Sequence, residues 1–230
     1  MQRERQALII GASRGLGLGL ARVHLERGWR VTATERTPSA ELAALRREVG
    51  DRLRVETLDI TDDAQLEALA ARLAGQKYEM LFLNAGIMAG RDRPIGAMAD
   101  EEIVRVFMTN AVCPIRVADR LTGLIVRGST VAFMTSILGS VTSNRDGRME
   151  LYRASKAALN SLTRSFAARH VPNGFTVLSI HPGVVRTAMG GPQAPLDIET
   201  SVRGVADTLA ARRGTAVHVC VDYQNQEIPW

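Results

Sequence analysis

The sequence is poor in cysteine, with only Cys113 and Cys220 among 230 residues. Two cysteines so far apart provide neither a disulfide framework nor the paired spacing of a zinc site. No apolar run approaches the ~20 residues that a membrane-spanning helix needs. The first residues, MQRERQALII, also lack the apolar run and cleavage site of a signal peptide. We therefore expect a cytoplasmic protein with two reduced, buried thiols, no metal and no membrane partner.

Long blocks of one charge are also lacking. Lys and Arg number 29 against 24 Asp and Glu, a net charge of +5, and the two signs are interspersed along the chain. Nucleic-acid-binding tails are typically continuous basic blocks, so we expect no nucleic-acid partner. The hydrophobic share of 46% is enough to build the core of a globular domain.

Short apolar runs alternate along the chain with longer stretches of helical period. Seven runs are candidate strands: 7–11, 29–34, 53–58, 80–86, 129–136, 175–183 and 216–222. Six stretches are candidate helices: 15–27, 62–74, 100–109, 111–126, 152–170 and 198–212. Asp62 predicts the start of one helix, and Gly174 the end of the long one. This alternation predicts an α/β fold, a mainly parallel sheet with helices on both faces.

The least regular stretches are 86–99, 137–151 and 184–197, and each follows the end of a predicted strand. Open parallel sheets bind ligands in the crevice outside the carboxyl ends of their strands. No linker or repeat divides the chain. We therefore predict a single domain, residues 1–230, with one binding crevice.

A glycine-rich loop follows the first predicted strand directly. In IIGASRGLGLGLA, Gly11, Gly15 and Gly17 have the spacing G-x-x-x-G-x-G. Such glycines allow a tight turn, a close approach of the backbone to a pyrophosphate, and close packing of helix on strand. The N-terminus of the next helix adds N–H donors and partial positive charge. In this β/α context the loop favours dinucleotide binding over a plain turn.

The segment LYRASKAALN places Tyr152 four residues before Lys156, so the two side chains share one helix face. Taken alone, this pair is uninformative, because the spacing is common in unrelated helices. The other motifs of the chain decide its meaning.

Taken in order, these motifs resemble the short-chain dehydrogenase/reductase family. The set comprises G-x-x-x-G-x-G at 11–17, Asp59, Leu83-Asn84-Ala85-Gly86, Asn110, Ser136, Tyr152-x-x-x-Lys156 and Pro182-Gly183-Val184-Val185-Arg186-Thr187. YRASKAALNS and the ending YQNQEIPW are similar to the branch of C-factor and sniffer-type carbonyl reductases. The resemblance implies a Rossmann-type doubly wound domain with about seven parallel strands, and hydride transfer between a nicotinamide and a carbonyl or secondary alcohol.

The resemblance also implies a catalytic set of four residues. Tyr152 is expected to act as acid or base, with Lys156 lowering its pKa and binding the nicotinamide ribose. Ser136 is expected to bind the substrate oxygen, and Asn110, which opens a predicted helix, to hold a water of the proton relay. Sixteen positions separate Ser136 from Tyr152, more than is usual in the family, so Ser140 and Ser143 are alternatives to Ser136. Asn110 could also simply cap a helix.

The cofactor site follows from the resemblance in the same way. Its expected members are Gly11, Ser13, Arg14, Gly15, Leu16, Gly17, Glu35, Arg36, Asp59, Ile60, Asn84, Ala85, Gly86, Tyr152, Lys156, Pro182, Val185 and Thr187. Asn84 has a structural alternative, tying neighbouring strands together. Glu35 favours NAD(H), because a carboxylate accepts from the ribose 2′-hydroxyl and repels a 2′-phosphate. Arg14 and Arg36 favour NADP(H), because guanidinium suits phosphate. We favour NADP(H) over NAD(H).

The short segment 187–200, rich in glycine and proline, is the expected substrate segment and a candidate lid. It suggests a modest aldehyde, ketone or secondary alcohol as substrate. The polar insertion SNRDGRME is expected to form a loop near the mouth of the site. Family members are usually homodimers or homotetramers built through helices near 111–126 and 152–170. Two other functions remain open: a dinucleotide-binding signalling or regulatory protein, and a phosphate-binding module for another ligand.

Overall fold

The computed structural model describes residues 4–230 and contains one seven-stranded sheet. The strands are β1 (Gln6–Ile10), β2 (Arg30–Glu35), β3 (Leu53–Thr57), β4 (Tyr78–Leu83), β5 (Ile125–Met134), β6 (Thr176–His181) and β7 (His218–Asp222). All six pairings are parallel, in the order β3-β2-β1-β4-β5-β6-β7. The predicted parallel α/β sheet is confirmed. Its strand order reverses between β1 and β4, which is where such sheets form their binding crevice.

Seven α-helices within residues 4–230 cover the two faces of the sheet. They are α1 (Gly15–Glu26), α2 (Ala40–Val49), α3 (Asp63–Arg72), α4 (Asp100–Phe107), α5 (Cys113–Leu121), α6 (Glu150–His170) and α7 (Ile198–Arg212). Buried residues of α1, α2 and α7 form one core with alternate residues of the strands. Those of α3, α5 and α6 form a second core on the opposite face. The fold is therefore doubly wound, as the family resemblance implies.

Asp62 begins a helix and Gly174 ends one, as predicted. The Asp62 side chain accepts a hydrogen bond from the backbone N–H of Gln65 at 3.0 Å, capping α3. Gly174 follows α6 after one turn of 3-10 helix, with φ at +90°. A side chain rarely adopts this left-handed conformation, so glycine suits the position.

One helix is missed, and two predicted boundaries are wrong. Helix α2 is not predicted, because only Leu42 and Leu45 of its ten residues are buried and its apolar stripe is short. The helix predicted over 111–126 ends at Leu121, since a 3-10 turn over Thr122–Leu124 intervenes. The apolar residues that follow begin β5 at Ile125 instead.

Asn110 does not open or cap a helix. It lies in a π-helical turn, Met108–Val112, that joins α4 to α5 without a break. Wider turns of this kind are frequent at functional sites. Among residues 4–230, no helix is both long and apolar enough to cross a membrane.

Candidate active site

Helix α6 carries Tyr152 and Lys156 on one face at the carboxyl edge of the sheet. Both side chains are buried, with 7% and 3% of their surface exposed. The Lys156 ammonium lies 5.8 Å from the centroid of the Tyr152 ring, and it donates a hydrogen bond of 2.8 Å to the backbone carbonyl of Met134. The carbonyl at the end of β5 thus holds the cation beside the phenol.

Ser136 lies two residues beyond the end of β5 and close to Tyr152, where its side chain opposes the rise in the pKa of the phenol. Its Oγ also accepts from the backbone N–H of Leu138 at 3.2 Å, which fixes the turn. Ser140 points elsewhere, since its Oγ donates to the carbonyl of Trp230 at 3.3 Å and accepts from the N–H of Ser143. Despite the long spacing in sequence, Ser136 is the serine that the fold brings to the tyrosine.

Asn110 connects the loop after β4 to helix α6. Its side chain accepts from the N–H of Ile87 and donates to the carbonyl of Ile87, both at 2.8 Å. It also donates to Ser155 Oγ at 3.0 Å, and that hydroxyl donates to the Tyr152 carbonyl at 2.8 Å. A Cβ built on Gly86 would lie 3.4 Å from Asn110 Oδ1 and 3.6 Å from Lys156 Nζ. Asn110 and Lys156 therefore border the same space.

Burial is the main cause of the pKa shifts of Tyr152 and Lys156. It raises the pKa of Tyr152 to about 12, against a smaller opposing effect of the Ser136 hydrogen bond. It lowers the pKa of Lys156 to about 8. Burial therefore outweighs any lowering of the Tyr152 pKa by Lys156, whose ammonium lies 5.8 Å from the centre of the ring. Tyr152 is a neutral phenol at pH 7, in the form that donates a proton.

The glycine loop is a close-fitted backbone cradle. Gly11 has φ of +86°, and a Cβ there would lie 2.9 Å from Ala85. A Cβ on Gly17 would contact the carbonyl oxygen of Gly11 and lie 2.6 Å from Asn84 Nδ2. Asn84 Nδ2 donates to that carbonyl at 2.6 Å. This contact matches the structural alternative for Asn84, with the amide binding the loop to β4.

Arg14 and Arg36 are exposed beside this loop. Glu35, by contrast, accepts a hydrogen bond from the backbone N–H of Ser39 at 2.8 Å. Ser39 Oγ donates to the carbonyl of Ser13 at 2.6 Å, which joins the start of α2 to the glycine loop. Leu16, the next hydrophobic residue of the loop, packs against the core.

Asp59 and Ile60 follow β3 on the same edge of the sheet. Asp59 accepts from both the N–H and the hydroxyl of Thr61, at 2.9 and 2.7 Å. Burial acts to raise the pKa of Asp59, but these bonds and the charge of Arg36 leave it below the usual value. Ile60 is buried in the second core.

The segment after β6 returns to the glycine loop. The carbonyl of Pro182 accepts from Ser201 Oγ at 2.6 Å, and Val185 is buried and bridges to Leu196. A Cβ on Gly15 would lie 3.8 Å from Thr187 Cγ2, so Thr187 borders the loop. The fold thus gathers the predicted residues of the glycine loop, of α6 and of the segments that follow β2, β3, β4, β5 and β6 at one end of the strands.

The predicted substrate segment is hydrogen-bonded both at its base and near its tip. Arg186 and Leu196 are hydrogen-bonded through their backbones at 2.8 Å, which closes its base. Near its tip, the Arg91 guanidinium donates to the carbonyl of Met189 at 2.5 Å. Arg91 belongs to the loop after β4, so this bond spans the mouth of the crevice.

Sequence reasoning missed Arg153, the neighbour of Tyr152. Its side chain is 9% exposed and donates to the carbonyl of Arg148 and to Asp146, both at 2.7 Å. It therefore ties the polar insertion to α6. Ser155, also missed, is signalled only by its position between Tyr152 and Lys156 on a buried helix face.

The chain is similar to known proteins in both sequence and fold. The profile described as short chain dehydrogenase matches residues 5–195. The chain is 35% identical to C-signal of Myxococcus xanthus over 167 residues, which are 72% of this chain and all of that protein. A Burkholderia multivorans protein solved with bound NADP is 44% identical, with a TM-score of 0.97 over 99% of this chain and 100% of that one. The carbonyl reductase Sniffer of D. melanogaster is 31% identical, with a TM-score of 0.91 over 99% and 100% of the two chains.

Proposed function

The chain belongs to the short chain dehydrogenase family and is an NAD(P)-dependent oxidoreductase; we propose that it reduces a small aldehyde or ketone with NADPH. One arrangement supports this function above all. A buried tyrosine, with Ser136 near it and Lys156 over its ring, lies at the same end of the strands as a glycine loop in which Gly11 and Gly17 leave no room for a side chain. The cradle fits a dinucleotide, whose pyrophosphate needs close backbone approach and N–H donors at the start of α1.

In this mechanism the bound NADPH supplies the hydride, and the protein handles the proton. Ser136 and Tyr152 bind the carbonyl oxygen of the substrate by hydrogen bonds. Tyr152 then donates its phenolic proton to that oxygen, and the Lys156 ammonium stabilises the phenolate that remains. Asn110 fixes α6 against the loop after β4 and borders the lysine, where a bound water can return the proton.

The raised pKa of Tyr152 supports reduction as the favoured direction. A phenol with a pKa of about 12 is protonated across the physiological range and is ready to act as an acid. Oxidation needs the phenolate as base, which burial disfavours.

NADPH is the proposed cofactor because the carboxylate that could repel a 2′-phosphate is engaged within the chain. Glu35 binds the N–H of Ser39, while Arg14 and Arg36 are exposed beside the glycine loop. The bound NADP of the Burkholderia multivorans protein supports the same choice. We propose that the rest of the cofactor is lined by residues that follow β3, β4 and β6: Asp59, Ile60, Ala85, Gly86, Pro182, Val185 and Thr187.

The decisive experiment is Tyr152→Phe, assayed on a panel of aldehydes and ketones with NADPH. We expect kcat to fall by a factor of about 100 or more, the usual contribution of a positioned acid. The dissociation constant for NADPH should stay within about twofold. Unchanged turnover in this variant would remove the proposed mechanism.

A second candidate is a dinucleotide-binding signalling or regulatory protein, favoured by the similarity to C-signal. It predicts that the wild-type chain binds NADPH but turns over no carbonyl of the panel with either reduced cofactor.

We further propose one domain over the whole chain, with 187–200 as its substrate segment, and a homodimer or homotetramer through α5 and α6. Light scattering tests the assembly.

A further inference from the structure

A cavity lies at the amino ends of the strands, away from Tyr152, which lies at their carboxyl ends. Its volume is about 350 Å³, and it lies where β1, β2 and β4 begin, beside Thr130 in the middle of β5, and where α1 and α7 end. Along β1, Gly11 at the cradle comes six positions after Arg5 at this cavity, a span of about 20 Å at the usual rise per residue. The cavity is therefore a separate place from the proposed hydride site. Its size lies within the usual range for small-molecule pockets, roughly 300–1,000 Å³.

Cations dominate the lining of this cavity. Arg5, Arg27 and Arg213 line it together with a single carboxylate, Glu79. Glu79 accepts from the backbone N–H of Gln6 at 2.6 Å. Arg27 pairs with Asp207 at 2.7 Å, whereas Arg5 and Arg213 form no ion pair within residues 4–230. Two guanidinium groups are thus available to an anion. They also offset the partial negative charge at the carboxyl ends of α1 and α7.

The floor of the cavity holds a buried polar group without a partner. Thr130 lines the cavity and is 2% exposed, and its Oγ1 has no hydrogen-bond partner within the described part of the chain. Buried hydroxyls are nearly always hydrogen-bonded, so a water or a ligand oxygen in the cavity would complete this one.

A flat apolar wall completes the cavity. Trp29 lies under the Arg5 guanidinium, 5.6 Å from it, and packs edge-on against His24 with ring centroids 5.3 Å apart. His24 also lines the cavity; burial lowers its pKa to about 4, so it is neutral at pH 7 and adds no charge. Indole, imidazole and the neighbouring Leu209 favour an apolar body on the ligand.

We propose that this cavity binds a small organic anion, in which an acidic group is attached to a flat apolar body. The acidic group contacts Arg5 and Arg213, a ligand oxygen accepts from Thr130, and the apolar body lies against Trp29. Carboxylates and phosphate esters share this chemistry, and guanidinium binds both.

The test uses Trp29 as its reporter. The sequence has two tryptophans, so Trp230→Phe leaves Trp29 alone. Benzoate and phenyl phosphate are titrated into this variant in the presence of saturating NADPH, with benzyl alcohol and benzylamine as the neutral and cationic controls. We expect a saturable change in Trp29 emission with at least one acid below about 10 mM, and none with the alcohol or the amine. Tighter binding of benzoate would identify the head group as a carboxylate, and tighter binding of phenyl phosphate would identify it as a phosphate ester.

Matched variants locate the binding. Thr130→Val keeps the shape but removes the hydroxyl, so affinity should fall about fivefold, while the melting temperature stays equal or rises. Arg213→Gln should weaken binding about tenfold or more, and Arg105→Gln, an exposed arginine of α4, should not. The proposal is overturned if neither acid binds, if the alcohol binds equally well, if NADPH competes with the acid, or if Thr130→Val and Arg213→Gln leave the affinity unchanged. Because none of these readouts is carbonyl turnover, failure here leaves the proposed function standing.

Discussion

The Glu35 carboxylate accepts a hydrogen bond from the backbone N–H of Ser39, 2.8 Å away, across the turn between β2 and α2. Ser39 in turn caps α2 and bonds to the glycine loop at Ser13. The carboxylate therefore stabilises the start of a helix, and Arg36 is the exposed charged neighbour beside the crevice.

Replacing Arg36 by Gln should impair the use of NADPH selectively. A lost guanidinium–phosphate contact corresponds to about tenfold in KM for NADPH, whereas KM for NADH should change less than about twofold because NADH lacks the phosphate. Arg46→Gln, which changes an exposed arginine of α2, is the control. Equal effects on both cofactors, or a wild-type preference for NADH, would contradict the NADPH assignment.

The rate of carbonyl reduction should fall on the alkaline side of pH 8. Burial lowers the pKa of Lys156 to about 8, so the ammonium that stabilises the phenolate is lost as pH rises through that value. Tyr152 keeps its proton to about pH 12 and does not contribute to this limb. A kcat profile with NADPH tests the assignment, and Lys156→Arg should move the limb upward because arginine keeps its charge. A limb that stays in place in this variant would assign it to another group.

Acid should destabilise the fold partly through His24. Burial lowers its folded-state pKa to about 4, against a smaller opposing effect of its hydrogen bond to the Leu20 carbonyl. Between pH 6.5 and 4 the unfolded chain therefore binds a proton that the folded chain does not, and the free energy of unfolding falls by about 1.4 kcal/mol per pH unit. Urea unfolding at several pH values should show a shallower dependence in His24→Gln. An unchanged slope would mean that His24 is protonated without loss of structure.

Adding one methyl group at Gly17 should damage the cradle. The new Cβ would contact the Gly11 carbonyl and crowd Asn84, so Gly17→Ala should lose about 1–3 kcal/mol of stability and at least tenfold in NADPH affinity. Gly123→Ala is the control, because no atom lies within 4 Å of its added Cβ. Differential scanning calorimetry and a cofactor titration measure the two effects. Normal NADPH affinity in Gly17→Ala would show that cofactor binding does not depend on the close contact between Gly17 and the Gly11 carbonyl.

The bond between Arg91 and the Met189 carbonyl should hold the substrate segment closed. Its removal in Arg91→Ala should increase proteolysis within 187–200 roughly fivefold, the equivalent of about 1 kcal/mol. Saturating NADPH should restore part of the protection if the segment closes on the cofactor. Arg105→Ala serves as the matched exposed control. Equal cleavage of variant and wild type would show that the segment is held by its base alone.

The sequence predicts those parts of the site that follow strands. Asn84 comes directly after a continuous apolar run, and Ser136 and Pro182 come within two residues of the end of a mainly apolar strand. A parallel sheet necessarily gathers such residues at the carboxyl ends of its strands. Local chemistry also places the start of α3 at Asp62 and the turn at Gly174.

The remaining features depend on contacts that a local pattern does not contain. Helix α2 has too few buried residues for a clear period, and its cap, Ser39, matters through a contact with Ser13, 26 residues away. The π-helical turn at Asn110 is set by bonds to Ile87 and Ser155, far along the chain in both directions. The burial of Arg153 similarly requires the loop that it holds.

The bond from Asn84 to the Gly11 carbonyl joins residues 73 positions apart. During synthesis the glycine loop emerges early, but its fixed shape depends on β4, whose residues follow much later. We expect an N-terminal fragment that stops before β4 to leave the loop without this restraint and to bind phosphate poorly, since contacts distant in sequence form only after the intervening chain has been ordered. The first motif of the chain to be translated is thus among the later ones to become functional.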